Sequence, residues 1–235
     1  MNQGTGMDPD GFISPWNYDM HAALGLCLIG VEKFAGRDAP DMNRRESMIR
    51  TETVYFDIEG SANTDEVLRI AKHRAQDLGI KTVLVASVTG ETALRASEAL
   101  EGLRIIAVSL AVGRYKPDVQ ELKEENRKIL EGKGITVLTT TQAFSGVSRA
   151  VRDSFKTVVI GDIIANTLRV FGHGVKVACE ISLMAADSGL VRTDEEIVAI
   201  AGTTRGADTA IVLKPVNAQR FFDLRIREIL CKPRF

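Results

Sequence analysis

The sequence predicts an α/β fold in which a mostly parallel sheet lies between two layers of helices. Beyond residue 53, short runs of β-branched and apolar residues alternate with longer amphipathic segments. Gly, Asn, Asp and Thr separate these segments, as expected at turns and helix ends. Strands that alternate with helices pair in parallel, because each helix returns the chain across one face of the sheet. We therefore expect a three-layer αβα sandwich.

Three strands and two helices are predicted between residues 54 and 110. The first helix starts at Asn63 and carries Asp65 and Glu66 in its first turn, where acidic side chains interact favourably with the helix dipole. The predicted order is a strand over residues 54–56, a helix over 63–79, a strand over 82–86, a helix over 91–100 and a strand over 104–110. This β-α-β-α-β order is typical of a parallel sheet.

Four helices and four strands are predicted in the second half of the chain. Their order is a charged helix over residues 119–131, a strand over 135–140, helices over 144–155, 161–171 and 175–186, and strands over 197–201, 209–213 and 227–231. The last helix is strongly apolar and ends at Gly189, because glycine favours the conformation that closes a helix. On this helix, the spacing of Lys176, Glu180 and Asp187 predicts a polar stripe that faces solvent, with a pocket-lining carboxylate as the alternative.

Residues 1–50 differ in composition from the rest and are predicted to form an N-terminal extension to one α/β domain over residues 51–235. The apolar run at residues 22–31 is too short to cross a bilayer. Acidic residues precede it, which argues against a signal peptide. We expect the extension to be partly disordered or to form a short helix packed on the domain or on a partner. The alternative is that Met42 or Met48 is the natural first residue of the protein.

The composition argues against several classes of function. Thirty Lys and Arg residues against 31 Asp and Glu residues give a net charge of −1. This balance provides no field that attracts polyanions, so binding to nucleic acid or to an anionic membrane is not expected. The 3 cysteines are far apart in sequence, so neither a disulfide framework nor a metal site is expected. This cysteine usage is typical of a reducing, cytoplasmic setting.

Three loops that follow predicted strands carry hydroxyl side chains and glycine. Ligands of α/β sheets bind beyond the carboxyl ends of the strands. Backbone N–H groups and hydroxyls ahead of a helix suit a phosphate or carboxylate, although ordinary helix capping is the alternative for the first loop. The candidate ligand-binding residues are Ser87, Val88, Thr89, Gly90, Glu91 and Thr92 in the first loop, Ser145 and Gly146 in the second, and Gly202, Thr203, Thr204, Arg205, Gly206, Asp208 and Thr209 in the third.

The third loop also carries a cation. Arg205 is suited to bidentate contact with phosphate oxygens, and Asp208 is suited to fixing the loop or holding Arg205 in place. The alternative is a plain turn between neighbouring strands, with Arg205 in solvent. Between two glycines, His173 is predicted to cap the C-terminus of a helix, with a catalytic acid or base as the alternative.

Several motifs resemble those of a known family. Two segments resemble the alpha/beta C-terminal domain of pyruvate kinase. The first is residues 83–109, with VLVASVTGETA and LRIIAVS, which resembles the strand, turn, helix and strand of that domain. The second is residues 197–213, which resembles its last hairpin. Stand-alone pyruvate kinase alpha/beta domain-like proteins of archaea and bacteria show a closer similarity. Their motifs resemble YF at residues 55–56, NTDE at 63–66, GVKVACE at 174–180, MAADSG at 184–189, RGADTA at 205–210, FFD at 221–223 and ILCKPR at 229–234.

The resemblance implies a regulatory-domain fold, a phosphorylated ligand at the loops, flavin mononucleotide (FMN) as that ligand, and a homo-oligomer. It does not imply pyruvate kinase activity, because that enzyme's catalytic site lies in a barrel domain that this sequence lacks. We expect a soluble protein that binds a phosphorylated small molecule in a regulatory or sensory role. A small flavin-dependent oxidoreductase and a structural or interaction module are the alternatives. Glu91 departs from the family pattern, since a carboxylate repels a phosphate unless it is directed away.

Overall fold

Seven strands form one sheet within residues 48–234, the part of the chain that the computed structural model describes. They are β1 (Val54–Phe56), β2 (Thr82–Ala86), β3 (Arg104–Leu110), β4 (Thr136–Thr140), β5 (Ile197–Ala201), β6 (Thr209–Lys214) and β7 (Arg225–Pro233). Their order is β1-β7-β6-β5-β2-β3-β4, and β6 alone runs antiparallel to its neighbours. The prediction of a mostly parallel sheet is confirmed.

Six α-helices accompany the sheet in the same part of the chain. They are α1 (Thr64–Leu78), α2 (Glu91–Ala99), α3 (Glu124–Gly132), α4 (Val147–Phe155), α5 (Ile160–Arg169) and α6 (His173–Asp187), and the short 3-10 helices Ser61–Asn63 and Ala218–Asp223 lie between elements. Helix α3 begins five residues later than predicted. Gly113 and Asp118 have positive φ angles, and the Gly113 N–H donates to the Val119 carbonyl at 2.9 Å. This closed loop prevents an earlier helix start.

Alternating side chains on the strands produce the three layers. In β2, Val83 and Val85 pack on the side of α1 and α2, whereas Leu84 packs on the side of α6. All three are fully buried, as expected for a central parallel strand covered on both faces. The predicted αβα sandwich is therefore confirmed, with α5 packed on the outer side of α6 through a smaller cluster that includes Ala165 and Leu183.

Helix α6 is buried along most of its length because it lies between the sheet and α5. Twelve of its 15 residues are buried. Lys176 and Glu180 are among them, and Asp187 alone of the predicted polar stripe is exposed. The prediction of a solvent-facing stripe is wrong. The Glu180 carboxylate accepts a hydrogen bond from the Phe144 N–H in the loop after β4, and the Lys176 ammonium lies 5.5 Å from the centre of the Phe144 ring.

The strand order creates a crevice beside β2. From β2 the chain moves outward to β3 and β4, and it later returns to the opposite side of β2 through β5. The carboxyl ends of β2 and β5 therefore meet at the point where the direction of winding changes. Ligands of open α/β sheets bind at such a point. The loops after these two strands are the first and third candidate loops of the sequence.

The predicted N-terminal extension lies outside the described residues, apart from Met48–Arg50. The apolar run at residues 22–31, the alternative starts and the predicted disorder or short helix stay predictions. The described residues from Thr51 onward belong to one compact unit. No helix between residues 48 and 234 has the length and apolar character needed to cross a membrane.

Candidate functional site

A cavity of about 590 Å³ opens at the carboxyl ends of β2, β3 and β5. Its walls come mainly from the first and third candidate loops, from the end of β3 and from one side of α6 between His173 and Met184. The lining residues predicted from sequence are Ser87, Val88, Thr89, Glu91 and Thr92 in the first loop, and Gly202, Thr203, Thr204, Arg205 and Gly206 in the third. The two loops therefore converge on one site.

The second candidate loop contributes to the cavity through a different residue from those predicted. Ser145 and Gly146 do not line the cavity, whereas Gln142 from the same loop does. The Ser145 hydroxyl contacts the Gln142 side-chain oxygen at 3.3 Å, and Gly146 precedes the first residue of α4. Both residues therefore shape the turn into α4, and only Gln142 reaches the cavity.

Backbone and side-chain contacts fix the first loop in place. The Ser87 hydroxyl oxygen accepts a hydrogen bond from the Ala93 N–H at 3.2 Å. The Thr89 carbonyl accepts from the Asn126 side-chain amide at 2.9 Å. Gly90 has a φ of 94°, and a Cβ at this position would lie 2.7 Å from the Asn126 Cβ. The loop thus needs glycine for both conformation and space, and it is held against α3.

Asp208 organises the third loop from beneath. This buried carboxylate accepts hydrogen bonds from the Gly60 N–H at 2.9 Å, the Thr203 N–H at 3.0 Å and the Thr209 hydroxyl at 2.7 Å. Asp208 therefore fixes the loop, the first of its two predicted roles. Neither Asp208 nor Thr209 lines the cavity, so both act behind the loop.

Close contact with α1 also positions the third loop. Gly206 has a φ of 72°, and a Cβ there would lie 2.5 Å from the Thr64 hydroxyl oxygen. That hydroxyl oxygen accepts a hydrogen bond from the Ala207 N–H at 3.0 Å. The loop is thereby anchored on both sides of its bend, and Arg205 at the tip is exposed.

Positive charge predominates in the cavity. Six lining side chains are cationic and 2 are carboxylates; they are Arg114, Lys123, Arg149, Arg169, Lys176 and Arg205 against Glu91 and Glu180. Each carboxylate is paired with a lysine: Glu91 with Lys123 at 2.9 Å, and Glu180 with Lys176 at 2.5 Å. The hydrogen bond from Lys123 lowers the pKa of the Glu91 carboxyl. The Glu91 carboxylate is thus engaged by a cation.

The other four cationic side chains are arginines that form no ion pair within residues 48–234. Arg114 donates instead to the Gln142 side-chain oxygen at 2.8 Å, and Arg169 donates to the Asn166 side-chain oxygen at 2.8 Å. Burial, together with the nearby Arg114, lowers the pKa of the Arg149 guanidinium. The Arg149 Nε is buried and has no hydrogen-bond partner among the described residues. A buried donor of this kind favours an acceptor from outside the chain.

Two helix N-termini face the cavity. Glycine occupies the N-cap position of both α2 and α6, and neither N-cap forms a side-chain capping bond. The positive ends of these helix dipoles favour an anion. His173 is the first residue of α6 and lines the cavity, so the prediction that it caps the end of a helix is wrong. The Gly172-His173-Gly174 segment therefore marks the start of a helix rather than its end.

A buried ion pair forms part of the cavity wall. The side chains of Lys176 and Glu180 are 8% and 3% exposed, and the second Glu180 oxygen accepts from the Phe144 N–H at 3.1 Å. Glu180 is therefore a pocket-lining carboxylate, which was the alternative prediction. It links α6 to the loop that follows β4.

Apolar side chains complete the cavity. They are Val88, Val108, Leu110, Val177, Ile181 and Met184, and the aromatic ring of Tyr115 joins them. The cavity thus combines cationic and hydroxyl groups with an apolar surface, as small-molecule sites in proteins commonly do.

Sequence reasoning missed most of the cationic side chains. Arg114, Arg149 and Arg169 lie far apart in sequence, on the loop before α3, on α4 and on α5. Arg169 ends α5 whereas His173 begins α6, so their spacing of four residues does not place them on one helix. None of the three arginines therefore had a local signal in the sequence.

The described residues offer little support for metal or thiol chemistry. Between residues 48 and 234, no three His, Cys, Asp or Glu side chains are arranged to hold a metal ion. Cys179 and Cys231 are free and buried, and burial raises the pKa of each thiol to about 12. Both cysteines therefore act as small apolar residues.

Solved structures of pyruvate kinase from Cryptosporidium parvum are similar to this chain. One, in complex with ADP, is 17% identical in sequence, and the match covers 66% of this chain and 23% of that chain, with a TM-score of 0.32. A second is 16% identical, covering 61% of this chain and 22% of that chain with a TM-score of 0.30. The chain thus matches less than a quarter of the length of these enzymes.

A match to a family model shows which protein family the chain belongs to. The model describes the pyruvate kinase alpha/beta domain, and it matches residues 65–213. This range runs from α1 to β6 and includes the two loops that line the cavity. The match covers more than half of the sequence and confirms the resemblance that the motifs predicted. The chain belongs to the pyruvate kinase alpha/beta domain family.

Proposed function

We propose that the chain binds a phosphorylated small molecule in the cavity beside β2. The observation that supports this most strongly is the group of four arginines without ion pairs, one of which has a buried Nε without a hydrogen-bond partner among residues 48–234. Neighbouring arginines without counter-charges repel one another, and a bound anion compensates for this repulsion. Two glycine-capped helix N-termini add N–H donors on the same cavity.

FMN is the ligand that we propose. Its phosphate suits the arginines and the hydroxyl-bearing loops, because charge-assisted hydrogen bonds from guanidinium groups are strong and directional. Its isoalloxazine ring suits the apolar wall and the Tyr115 ring. The cavity of about 590 Å³ also falls within the range of small-molecule sites, roughly 300–1,000 Å³. We propose a regulatory or sensory role for this binding.

Titration with FMN and with riboflavin, which lacks the phosphate, tests the proposal. Quenching of flavin fluorescence is expected to report tighter binding of FMN than of riboflavin. Arg149→Met is expected to weaken FMN binding by about 10- to 100-fold, since a charge-assisted hydrogen bond contributes roughly 1.5–3 kcal/mol. Riboflavin binding is expected to change much less. In the absence of ligand, the variant is expected to melt at a higher temperature, because a buried donor without a partner is removed.

Arg104→Met is the matched control for this titration. Arg104 is an exposed arginine at the start of β3, at the opposite end of that strand from the cavity. Its replacement is expected to leave FMN binding unchanged. Equal affinities of the wild-type protein for FMN and riboflavin, or an Arg149→Met variant with wild-type FMN affinity, would contradict the proposal.

Ligand affinity is also expected to depend on pH through His173. Burial, with Arg169 and Lys176 nearby, lowers the pKa of this imidazole, so it is neutral at pH 7 without ligand. A bound anion raises that pKa, so binding is coupled to proton uptake and strengthens as the pH falls. Between pH 7.5 and 5.5, sulfate affinity is expected to rise about three- to tenfold. Sulfate is chosen because it stays a dianion over this range.

Calorimetric titrations with sulfate at both pH values measure the effect. His173→Gln keeps a polar side chain that does not titrate, and it is expected to abolish most of the pH dependence. The account of His173 fails if the variant keeps the wild-type dependence, or if sulfate affinity falls as the pH is lowered.

The flavin-dependent oxidoreductase stays an alternative. Bleaching of bound FMN by NADH or NADPH would favour it over a binding protein, because the cofactor would then take up a hydride. A cytoplasmic location likewise stays a proposal, and the two free, buried cysteines among the described residues are compatible with it.

A further inference from the structure

The cavity carries more positive charge than the phosphate of FMN neutralises. Its 6 cationic side chains exceed its 2 carboxylates by 4 charges. The excess lies on the four arginines, since each carboxylate of the cavity is paired with a lysine. A phosphate monoester carries about two negative charges at neutral pH. Two positive charges of the cavity lining therefore stay without a counter-charge when oxidised FMN binds, because the oxidised flavin ring is neutral.

The buried carboxylates of the chain do not remove this excess. Within residues 48–234, only Glu180 and Asp208 are buried carboxylates, and Glu180 is already counted in the lining. Asp208 lies behind the third loop and offsets one of the two remaining positive charges. Carboxylates with more exposure to water are screened more strongly by solvent and salt. At least one positive charge is thus left for a ligand that is more negative than oxidised FMN.

Reduced FMN supplies this additional negative charge. Two-electron reduction makes the flavin N1 acidic enough to lose its proton near neutral pH, so that the ring itself becomes an anion. We propose that the cavity binds reduced FMN more tightly than oxidised FMN, because the excess positive charge stabilises the anionic ring. This inference rests on the proposed FMN site. It goes further in naming the redox state of the flavin as the signal that the protein detects.

The size of the cavity brings the flavin ring within range of these charges. The cavity has a volume of about 590 Å³. A sphere of this volume is about 10 Å across, which is comparable with the Debye length at physiological salt. A negative charge inside the cavity therefore interacts with every lining arginine, whichever way the ring lies. The bound ligand also displaces water, which strengthens these interactions.

Arg169 is the arginine that we assign to the ring. Its Nε lies 3.4 Å from the His173 Nδ1 at the start of α6. His173 shares one side of α6 with Val177 and Ile181, at a spacing of four residues, and all three line the cavity. Arg169 therefore lies beside the apolar wall that suits the isoalloxazine ring, whereas Arg149 and the two loops are assigned to the phosphate.

Spectroelectrochemical titration of FMN, free and bound to the full chain, tests the proposal. The midpoint potential of FMN is expected to rise by about 30 mV on binding, which corresponds to a tenfold tighter binding of the reduced form for a two-electron couple. Separate anaerobic titrations with oxidised and with dithionite-reduced FMN are expected to give the same ratio of dissociation constants. A slightly alkaline buffer keeps the reduced flavin anionic.

Replacements of Arg169 test the electrostatic origin of the preference. Arg169→Gln removes one positive charge and is expected to lower the ratio of dissociation constants about threefold. Arg169→Lys keeps the charge and is expected to retain the wild-type ratio. Arg104→Met, at the far end of β3, is expected to leave the ratio unchanged. Because Arg169 is exposed, neither of its replacements is expected to change the melting temperature without ligand.

The outcomes separate this inference from the proposed FMN site. FMN that binds with an unchanged or lowered midpoint potential would overturn the inference and leave the FMN site standing. An Arg169→Gln variant with the wild-type ratio, or an Arg169→Lys variant that loses the preference, would overturn its electrostatic basis. FMN that fails to bind in either redox state would overturn both proposals.

Discussion

Glu180→Ala is expected to lower the free energy of unfolding by about 3–5 kcal/mol, since removal of one partner leaves the other charge of a buried pair uncompensated. The Lys176 ammonium would lose its carboxylate partner at 2.5 Å, and the Phe144 N–H would lose its acceptor at 3.1 Å. Urea denaturation, followed by far-ultraviolet circular dichroism, measures the change. This would be among the largest stability effects of a single substitution in the domain.

The double variant Lys176→Met with Glu180→Leu is the control for this prediction. It replaces both charged side chains with apolar ones of similar length, so it is expected to recover the part of the stability that the uncompensated Lys176 charge costs, while the Phe144 N–H still lacks its acceptor. The account of a buried, coupled pair would be wrong if Glu180→Ala changed the free energy of unfolding by less than about 1 kcal/mol. It would also be wrong if the double variant were as unstable as the single one.

Asp208→Ala is expected to destabilise the domain by about 3 kcal/mol and to weaken ligand binding as well. The substitution leaves the Gly60 N–H, the Thr203 N–H and the Thr209 hydroxyl without an acceptor. Each buried donor without a partner costs roughly 1–3 kcal/mol, although part of this cost is relieved where water can enter. Because Asp208 fixes the loop that carries Arg205, FMN affinity is expected to fall even though Asp208 does not line the cavity.

Asp208→Asn provides the matched control. The amide oxygen can still accept from the two backbone N–H groups, and the amide NH₂ can donate to the Thr209 hydroxyl oxygen. This variant is therefore expected to retain most of the stability and FMN affinity that Asp208→Ala loses. Thermal melting and flavin titration of both variants measure the difference. Equal losses in the two variants would show that the negative charge, rather than the hydrogen-bond geometry, matters at this position.

The sequence was sufficient to predict the central features of the fold. The apolar segments at β2, β3 and β5 are continuous because both faces of these strands are covered, and this pattern distinguishes them from the amphipathic helices. Gly90 and Gly206 likewise marked the two bends that line the cavity, since both positions require a left-handed backbone conformation. Local chemistry thus determined both loops, and the winding of the sheet brought them together.

The sequence was insufficient wherever a position depends on packing between distant elements. Lys176 and Glu180 have the spacing of a surface ion pair on an isolated helix, and the contacts of both with Phe144, from the distant loop after β4, are not encoded in that spacing. The charged segment before α3 was predicted to be helical because its composition is compatible with a helix, whereas Gly113 and Asp118 close a loop there. Arg114 and Arg149 reach one cavity from separate elements, which no local spacing encodes.

A crystal structure of the protein grown with FMN tests the central claim most directly. We expect the flavin phosphate in the cavity beside β2, within hydrogen-bond distance of Arg149 and of at least one residue from the loops that carry Thr89 and Arg205. The isoalloxazine ring is expected against the apolar wall. FMN bound elsewhere on the protein, or a cavity that holds only water at saturating FMN, would contradict the account.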